Sequence, residues 1–223
     1  MAVSGPAARP AVFLDKDGTL VEDVPYNVDP ARLVFTQGAL PALALLADAG
    51  YALVVVTNQP GLASGRFSRA DFARLERALL QRVFDEAGVR IAAVYACPHA
   101  PAVGRAPACL CRKPAPGLLR RASLEMRLDL ARSWMVGDIL DDIEAGRRAG
   151  CRTVLLDVGH ETLWRLSPLR TPQHRCADLF EAAQLIAGHL GRSREDGTSG
   201  AGAMGARLRG DDNPHAKPIG AMT

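Results

Sequence analysis

Long apolar runs are absent from this chain of 223 residues, and aromatic side chains are few. Aromatic residues make up 5% of the sequence, and no apolar stretch approaches the roughly 18 residues of a membrane-spanning helix. The apolar segment near the N-terminus is four residues long and follows a lone arginine, Arg9, unlike a secretory signal. These absences argue against a membrane protein and predict a cytoplasmic one.

Blocks of like charge are absent as well. The formal net charge of +3 is spread along the chain, with no run of about five like charges that would mark a nucleic-acid-binding arm or an acidic tail. A groove for a nucleic-acid strand would also need basic residues interleaved with aromatic ones, and no such segment occurs. We therefore expect neither nucleic acid nor a membrane as partner, and the sequence leaves the oligomeric state open.

Lysine is scarce, with three copies against 24 arginines. Arginine therefore serves as the general cation of the chain. Two of the three lysines, Lys16 and Lys113, lie inside the motifs described below. Their retention there indicates that a compact ammonium group is needed at these positions.

Short apolar segments alternate with helical segments along the first 156 residues. The predicted strands are 12–14, 52–56, 91–95, 133–136 and 153–156, and the predicted helices are 40–49, 71–87, 116–127 and 140–149. Strands this short and apolar are typical of a sheet covered on both faces. The alternation predicts an α/β fold with a doubly wound parallel sheet.

The chain can bury one substantial core but hardly two. We therefore predict one catalytic domain over residues 1–190. From residue 191 onward the sequence is rich in glycine and mixed charge, with few large apolar residues and no helical or strand period. This composition predicts a disordered tail over residues 191–223.

Two aspartates one residue apart end the first predicted strand, Asp15 and Asp17 in Leu14-Asp15-Lys16-Asp17-Gly18-Thr19. Two like charges at the end of a buried strand need a cation or a shared proton, and Mg²⁺ is the predicted compensator. Asp15 could then attack phosphorus, while Asp17 gives and takes the leaving-group proton. An acidic turn is the alternative, and the triplet alone favours it.

Further polar residues follow the ends of later predicted strands or precede a proline. They are Thr57 and Asn58 after the second strand, Arg112 and Lys113 before Pro114, and Asp138 after the fourth strand, with Asp141 and Asp142 at helical spacing from it. The carboxyl ends of parallel strands share one edge of the sheet, where ligands bind. We therefore expect Asp15, Thr57 and Asp138 to converge in an active site.

Four metal-binding side chains lie in one short loop, residues 97–111. They are Cys97, His99, Cys109 and Cys111. Three thiolates and one imidazole would fill all positions of a tetrahedral zinc, which is the structural arrangement rather than the catalytic one. Free thiols that cluster by chance are the alternative. Zn²⁺ would order a loop poor in apolar residues and so position Arg112 and Lys113, which follow it directly.

In order and separation, these motifs resemble those of the haloacid dehalogenase superfamily of phosphotransferases, from residue 11 to about residue 157. The zinc pattern followed by Arg112-Lys113-Pro114 is similar to a narrower family, the bacterial phosphatases acting on D-glycero-D-manno-heptose 1,7-bisphosphate or on histidinol phosphate. Pro116-Gly117, Tyr26 and the glycine-spaced segment 61–65 look like the heptose branch. The fold implied is Rossmann-like, and only about 20 residues separate the first motif from the next helix, so no large cap domain is expected.

The resemblance implies a role for each motif residue. Asp15 is the nucleophile and Asp17 the general acid and then base. Mg²⁺ is held by Asp15, the main-chain carbonyl of Asp17 and Asp138. Asp142 supports this site, and Asp141 is the alternative. The residues implied to bind the substrate are Thr57 and Lys113, on the phosphoryl oxygens, with Asn58 and Arg112.

The activity implied is hydrolysis of a phosphate monoester through an aspartyl-phosphate. The substrate implied is a small phosphorylated sugar, with removal of the 7-phosphate of D-glycero-D-manno-heptose 1,7-bisphosphate. Two alternatives stay open at this point. One is a histidinol-phosphate phosphatase, and the other is a non-catalytic, zinc-stapled phosphate-binding module, which the intact carboxylates and lysine disfavour.

Overall fold

The fold is described from a computed structural model that covers residues 7–101 and 109–198. Its strands are β1 (Ala11–Leu14), β2 (Ala52–Asn58), β3 (Ala93–Cys97), β4 (Trp134–Gly137), β5 (Arg152–Leu156) and β6 (His174–Cys176). Its helices are α1 (Ala39–Asp48), α2 (Arg69–Ala87), α3 (Gly117–Met126), α4 (Leu140–Ala149) and α5 (Leu179–Thr198), with 3-10 turns at Pro30–Arg32 and Leu130–Arg132.

All six strands form one parallel sheet in the order β3-β2-β1-β4-β5-β6. From β1 the chain first builds outward to β2 and β3, then returns to place β4 on the other side of β1. The strand order therefore reverses between β1 and β4, and this is the position at which open α/β sheets bind ligands. The predicted doubly wound parallel sheet is confirmed.

The sheet is covered on both faces, which explains why its strands read as continuous apolar runs. Val12 and Leu14 face one apolar cluster with α1, α2 and α5, while Ala11 and Phe13 face a second cluster with α3 and α4. Alternate residues of a strand point to opposite faces, so β1 has no exposed side and all of its residues are buried. This central strand is a rigid support for the residues that follow it.

Sequence reasoning found five strands and four helices and missed β6 and α5. β6 has three residues, two of them His174 and Arg175, so it gives no apolar signal. α5 continues to Thr198, so it includes the first eight residues, 191–198, of the segment that was expected to be disordered. Charged residues such as Arg194 and Glu195 are good helix formers, and extending a formed helix costs little. The rest of the predicted tail, residues 199–223, lies outside the described residues.

The connection between β1 and α1 spans residues 15–38. Between Asp15 and α1 the chain forms turns and one 3-10 turn, so within residues 7–101 and 109–198 no separate cap domain covers the sheet edge. In the same ranges, every helix is too short or too polar to cross a bilayer.

Candidate active site

Three aspartates lie together where β1 and β4 end. Asp15 follows β1, Asp138 follows β4, and Asp142 comes from the first turn of α4. Their carboxylate oxygens lie within 4.8 Å of one another, and all three residues are buried. Burial raises the pKa of Asp15, and it raises that of Asp142 well above the usual range. We call these three residues the carboxylate cluster.

Lys113 lies inside the carboxylate cluster. Its Nζ is 2.5 Å from Asp15 Oδ1 and 2.6 Å from Asp142 Oδ1, and it donates to the carbonyl oxygen of Val56 at 3.0 Å. Burial would lower the pKa of this ammonium, but the charges of Asp142 and Asp15 outweigh burial and raise it. Lys113 therefore stays protonated while buried.

Asn58 holds the backbone of Lys113. The Asn58 side chain donates from Nδ2 to the Lys113 carbonyl and accepts from the Lys113 N–H at Oδ1, each at 3.1 Å. This two-way contact joins the end of β2 to the Cys111-Arg112-Lys113-Pro114 segment. That Asn58 touches substrate stays a prediction; in this structure its amide binds the main chain of Lys113.

The carboxylate cluster has the charge and shape for a divalent cation. Three buried carboxylates against one ammonium leave negative charge without a partner, which is costly unless a cation binds. Hard oxygen ligands are those that Mg²⁺ prefers. A Cβ on Gly18 would lie 2.3 Å from Asp138 Oδ2, and one on Gly137 would lie 2.3 Å from Asp142 Oδ2. Only glycine at these two positions leaves room for the carboxylates.

Asp17 stands apart from that cluster and has its own partners. Its Oδ1 pairs with Lys16 Nζ, and its Oδ2 accepts from Gln59 Nε2 at 3.0 Å. Gln59 Nε2 also donates to Thr57 Oγ1 at 2.9 Å. Burial raises the pKa of Asp17, although Lys16 acts in the opposite direction. A raised pKa favours the protonated carboxyl group, which is the form that can give a proton to a leaving group.

Both oxygens of Asp138 have a donor. Thr19 Oγ1 donates to Oδ1 at 2.8 Å, and His160 Nδ1 lies 2.8 Å from Oδ2. Sequence reasoning missed Thr19, His160 and Gln59. Thr19 and Gln59 stand next to motif residues in the sequence. His160 lies four residues after β5, at the same sheet edge as Asp15 and Asp138, so its place after a strand end was the available signal.

The four predicted zinc ligands form a compact group, which we call the Cys/His cluster. The sulfurs of Cys97, Cys109 and Cys111 are 3.3–3.7 Å apart, and His99 Nδ1 is 3.2 Å from Cys111 Sγ and 3.5 Å from Cys97 Sγ. A tetrahedral zinc with bonds of about 2.3 Å to sulfur has sulfur–sulfur edges of about 3.8 Å, close to these values. Burial raises the pKa of Cys97 to about 12, so a metal is needed to hold it as the thiolate.

The Cys/His cluster also holds Arg112. The Arg112 N–H donates to Cys109 Sγ at 3.3 Å, and its guanidinium donates to the carbonyl oxygen of His99 at 3.4 Å. Residues 102–108, which the sequence includes in the zinc loop, lie outside the described residues. The described ends of the loop therefore link the Cys/His cluster directly to Arg112, the residue before Lys113.

The structure brings most of the predicted site residues into one network. Asp15, Lys113 and Asp138 lie in or beside the carboxylate cluster, and Gln59 links Asp17 to Thr57. Of the two aspartates in α4, Asp142 belongs to the carboxylate cluster, whereas Asp141 pairs with Arg170 at 2.8 Å. Asp142 is therefore the one in a position to support a metal site.

Comparisons with known proteins point to one group of enzymes. The family model described as HAD-hydrolase-like matches residues 110–182. The chain is 45% identical over 187 residues to the D-glycero-beta-D-manno-heptose-1,7-bisphosphate 7-phosphatase of Mesorhizobium japonicum, covering 81% of this chain and 85% of the relative. It is 38% identical over 167 residues to the enzyme of that name from Escherichia coli K12, covering 74% and 83%.

A solved structure of an enzyme from the same group is also similar to this chain. The crystal structure of D,D-heptose 1,7-bisphosphate phosphatase from B. bronchiseptica, complexed with magnesium and phosphate, superposes with a TM-score of 0.68. Its sequence is 30% identical, and the match covers 81% of this chain and 99% of the other. The similarity therefore extends over nearly the whole of that enzyme.

Proposed function

Because this chain belongs to the D-glycero-beta-D-manno-heptose-1,7-bisphosphate 7-phosphatase family of HAD-like hydrolases, we propose that it removes the 7-phosphate of D-glycero-D-manno-heptose 1,7-bisphosphate. The reaction is hydrolysis of a phosphate monoester, dependent on Mg²⁺. One observation carries the proposal: Asp15, Asp138 and the buried ammonium of Lys113 meet at the strand ends where the sheet order reverses.

Asp15 is the nucleophile of the proposed reaction. Its carboxylate oxygen forms a bond to phosphorus while the bond from phosphorus to the sugar oxygen breaks, and Asp17 gives its proton to that oxygen. Asp17 then takes a proton from water, which attacks phosphorus, releases inorganic phosphate and regenerates Asp15. Burial, which raises the pKa of Asp17, supports its role as the acid, and the Gln59 contact fixes the position of its carboxylate.

The charge of the phosphoryl group is met by groups that are already in place. Lys113 brings a fixed positive charge, and Thr57 brings a hydroxyl beside Asp17. Preorganised positive charge and donors account for most of the catalysis of phosphoryl transfer. Arg112, held against the Cys/His cluster, is proposed to contact the substrate beyond the phosphoryl group, as is Asn58.

Mg²⁺ is the proposed catalytic metal, with Asp15, Asp138 and the main-chain carbonyl of Asp17 as ligands. When bound, it neutralises charge on the phosphoryl oxygens. The unbalanced charge of the carboxylate cluster supports the assignment, as does the magnesium named in the structure of the B. bronchiseptica relative. Asp142 is not a proposed Mg²⁺ ligand; it forms an ion pair with Lys113 and holds the ammonium group in position.

Zn²⁺ is the proposed structural metal of the Cys/His cluster. Four protein ligands leave no open position, so the zinc orders the segment and takes no part in the chemistry. Three thiol ligands must stay reduced to bind it, and for this reason a cytoplasmic location is part of the proposal.

A substrate comparison tests the function. Phosphate release is measured for both anomers of D-glycero-D-manno-heptose 1,7-bisphosphate and for histidinol phosphate, with and without Mg²⁺, and Asp15→Asn serves as the inactive control. We expect the heptose bisphosphate to be the best substrate and to leave the 1-phosphate. A higher kcat/KM for histidinol phosphate would overturn the substrate, and a rate equal to that of Asp15→Asn on all substrates would indicate a non-catalytic module.

A further inference from the structure

The segment between β5 and β6, residues 157–173, is fastened to the start of α4 at two points. Glu161 Oε2 accepts from the N–H of Leu140, the first residue of α4, at 2.8 Å. Further along, Arg170 donates to Asp141 Oδ1 at 2.8 Å and to Glu144 Oε2 at 2.9 Å. We call this segment the β5–β6 strap. Because its two ends meet the same helix, the strap has a defined position beside Asp138, two residues before α4.

His160 is the residue that the strap presents to the carboxylate cluster. Its Nδ1 lies 2.8 Å from Asp138 Oδ2, while Thr19 donates to Oδ1. A carboxylate that accepts one hydrogen bond at each oxygen cannot rotate without losing both. Asp138 is 4% exposed, so water cannot readily replace either donor, and a lost bond would be costly.

The close approach of His160 and Asp138 depends on Gly18. A Cβ at Gly18 would lie 2.3 Å from Asp138 Oδ2 and 2.7 Å from His160 Nδ1. The residue that follows Asp17 therefore leaves space for a contact between the ends of two other strands. The ends of β1 and β4 and the segment after β5 therefore meet at the contact between Asp138 Oδ2 and His160 Nδ1.

His160 has no part in the proposed chemistry, and its side chain is 40% exposed. Burial therefore does not explain why it faces Asp138. We propose that His160 is a positioning residue, whose Nδ1–H holds the Asp138 carboxylate in the orientation that binds Mg²⁺, and that Glu161 and Arg170 hold the strap that carries it. The proposal rests on the proposed function, because it assumes that Asp138 is a magnesium ligand.

Removal of the His160 ring is the first test, with Mg²⁺ alone as the probe. Binding of Mg²⁺ to the zinc-loaded protein is measured by calorimetry without substrate. Loss of an outer partner of a metal ligand typically lowers metal affinity by about 10- to 100-fold, so we expect His160→Ala to bind Mg²⁺ about tenfold more weakly. His160→Asn, whose amide N–H can take the place of Nδ1–H, should recover most of the affinity. Leu166→Ala, in the same strap and 55% exposed, should bind Mg²⁺ as the wild type does.

Kinetics give a second readout. In His160→Ala the Mg²⁺ concentration for half-maximal phosphate release should rise about tenfold, while kcat at saturating Mg²⁺ stays within about threefold of the wild type. Equal Mg²⁺ affinity in His160→Ala and wild type would overturn the proposal. So would equal losses in His160→Ala and His160→Asn, or a loss as large in Leu166→Ala, since either would indicate general disturbance of the strap.

The role of Glu161 is tested by asking whether the effect of its substitution on Mg²⁺ affinity depends on His160. Glu161→Ala should weaken Mg²⁺ binding by a few-fold, and Glu161→Gln, which keeps an oxygen acceptor for the Leu140 N–H, should restore it. In the His160→Ala background, Glu161→Ala should add nothing, because coupled residues give non-additive effects. An additive loss would show that Glu161 does not act through His160. A protein that binds Mg²⁺ in this manner yet hydrolyses no phosphate ester would refute the proposed function and leave His160 as the holder of Asp138.

Discussion

The two halves of the candidate site are positioned by different means. The carboxylate cluster follows buried strands at the centre of the sheet, so the packed core sets the positions of Asp15 and Asp138. Arg112 and Lys113 instead follow a loop, and they are held by the Cys/His cluster and by Asn58. A sheet needs no metal to place its side chains, whereas a loop with little core does. We therefore expect substitutions in the carboxylate cluster to remove the reacting groups. Substitutions in the Cys/His cluster should instead misplace Arg112 and Lys113.

The largest effect is expected from Asp15→Asn, in the half held by the sheet. The amide has the same shape but cannot attack phosphorus, so turnover should fall by more than about 10³-fold. The thermal melting temperature should change little and the zinc content should not change, because the Cys/His cluster is untouched. Phosphate release, a melt and elemental analysis measure these three quantities. Residual activity above about one part in a thousand would contradict the role of nucleophile.

Asp17→Asn should show a loss that depends on the leaving group. A sugar alkoxide needs a proton as it departs, and general acid catalysis contributes about 10²–10⁴-fold. An aryl phosphate with a good leaving group needs less help, so it should be affected far less in this first step. Steady-state kcat/KM for the two substrates decides the point. Equal losses for both would show that the Asp17 side chain acts mainly by aligning the site rather than as a general acid.

Cys109→Ser tests the half held by the loop. We expect the zinc to be lost, KM to rise and kcat to fall, by about 10- to 100-fold in kcat/KM. Binding of Mg²⁺ by the carboxylate cluster should be retained, which separates the two halves of the site. Cys151→Ala, a buried thiol outside the cluster, serves as the control and should keep its zinc. Normal kinetics in a zinc-free Cys109→Ser protein would show that the metal does not position Lys113.

The smallest effect concerns the two cysteines outside the Cys/His cluster. Burial raises the pKa of Cys151 to about 12 and that of Cys176 to about 11, so at pH 8 almost no thiolate forms at either. Alkylation of the folded protein, read by peptide mass spectrometry, should therefore spare both residues. Chelation of zinc should expose Cys109 and Cys111 to the reagent and leave Cys151 and Cys176 unmodified. Rapid labelling of Cys151 before unfolding would contradict this burial.

The sheet and its helices were largely predictable because their signals are local. Strands buried on both faces are continuous apolar runs in the sequence, and the predicted helix 71–87 corresponds to α2, which begins after the Ser68 capping box. β6 was not predicted because it has only three residues, and two of them, His174 and Arg175, are polar, so the strand has no apolar pattern. The beginning of α5 has apolar residues at helical spacing, Ala182, Ala183 and Ile186, so this helix does have a local signal in the sequence.

The site was predictable only for residues that belong to short motifs. The sequence identified Asp15, Lys113 and Asp138, yet the pairing of Lys113 with Asp142 depends on a loop fold that the sequence does not encode locally. The contact between His160 and Asp138 depends on the path of the β5–β6 strap and on the space beside Gly18. Contacts between separate strand ends of this kind follow from the tertiary structure alone.

Trapping of the covalent intermediate tests the central claim most directly. The protein is mixed with D-glycero-D-manno-heptose 1,7-bisphosphate and Mg²⁺, quenched in acid within milliseconds, and digested for peptide mass spectrometry. With this substrate we expect a phosphoryl group on Asp15 in the wild type and none in Asp15→Asn. With an aryl phosphate, whose leaving group needs little help from an acid, the labelled fraction of Asp15 should be larger in Asp17→Asn than in the wild type, because the base for hydrolysis is missing. A phosphoryl group on another residue, or turnover with Asp15 unlabelled in both proteins, would contradict the account.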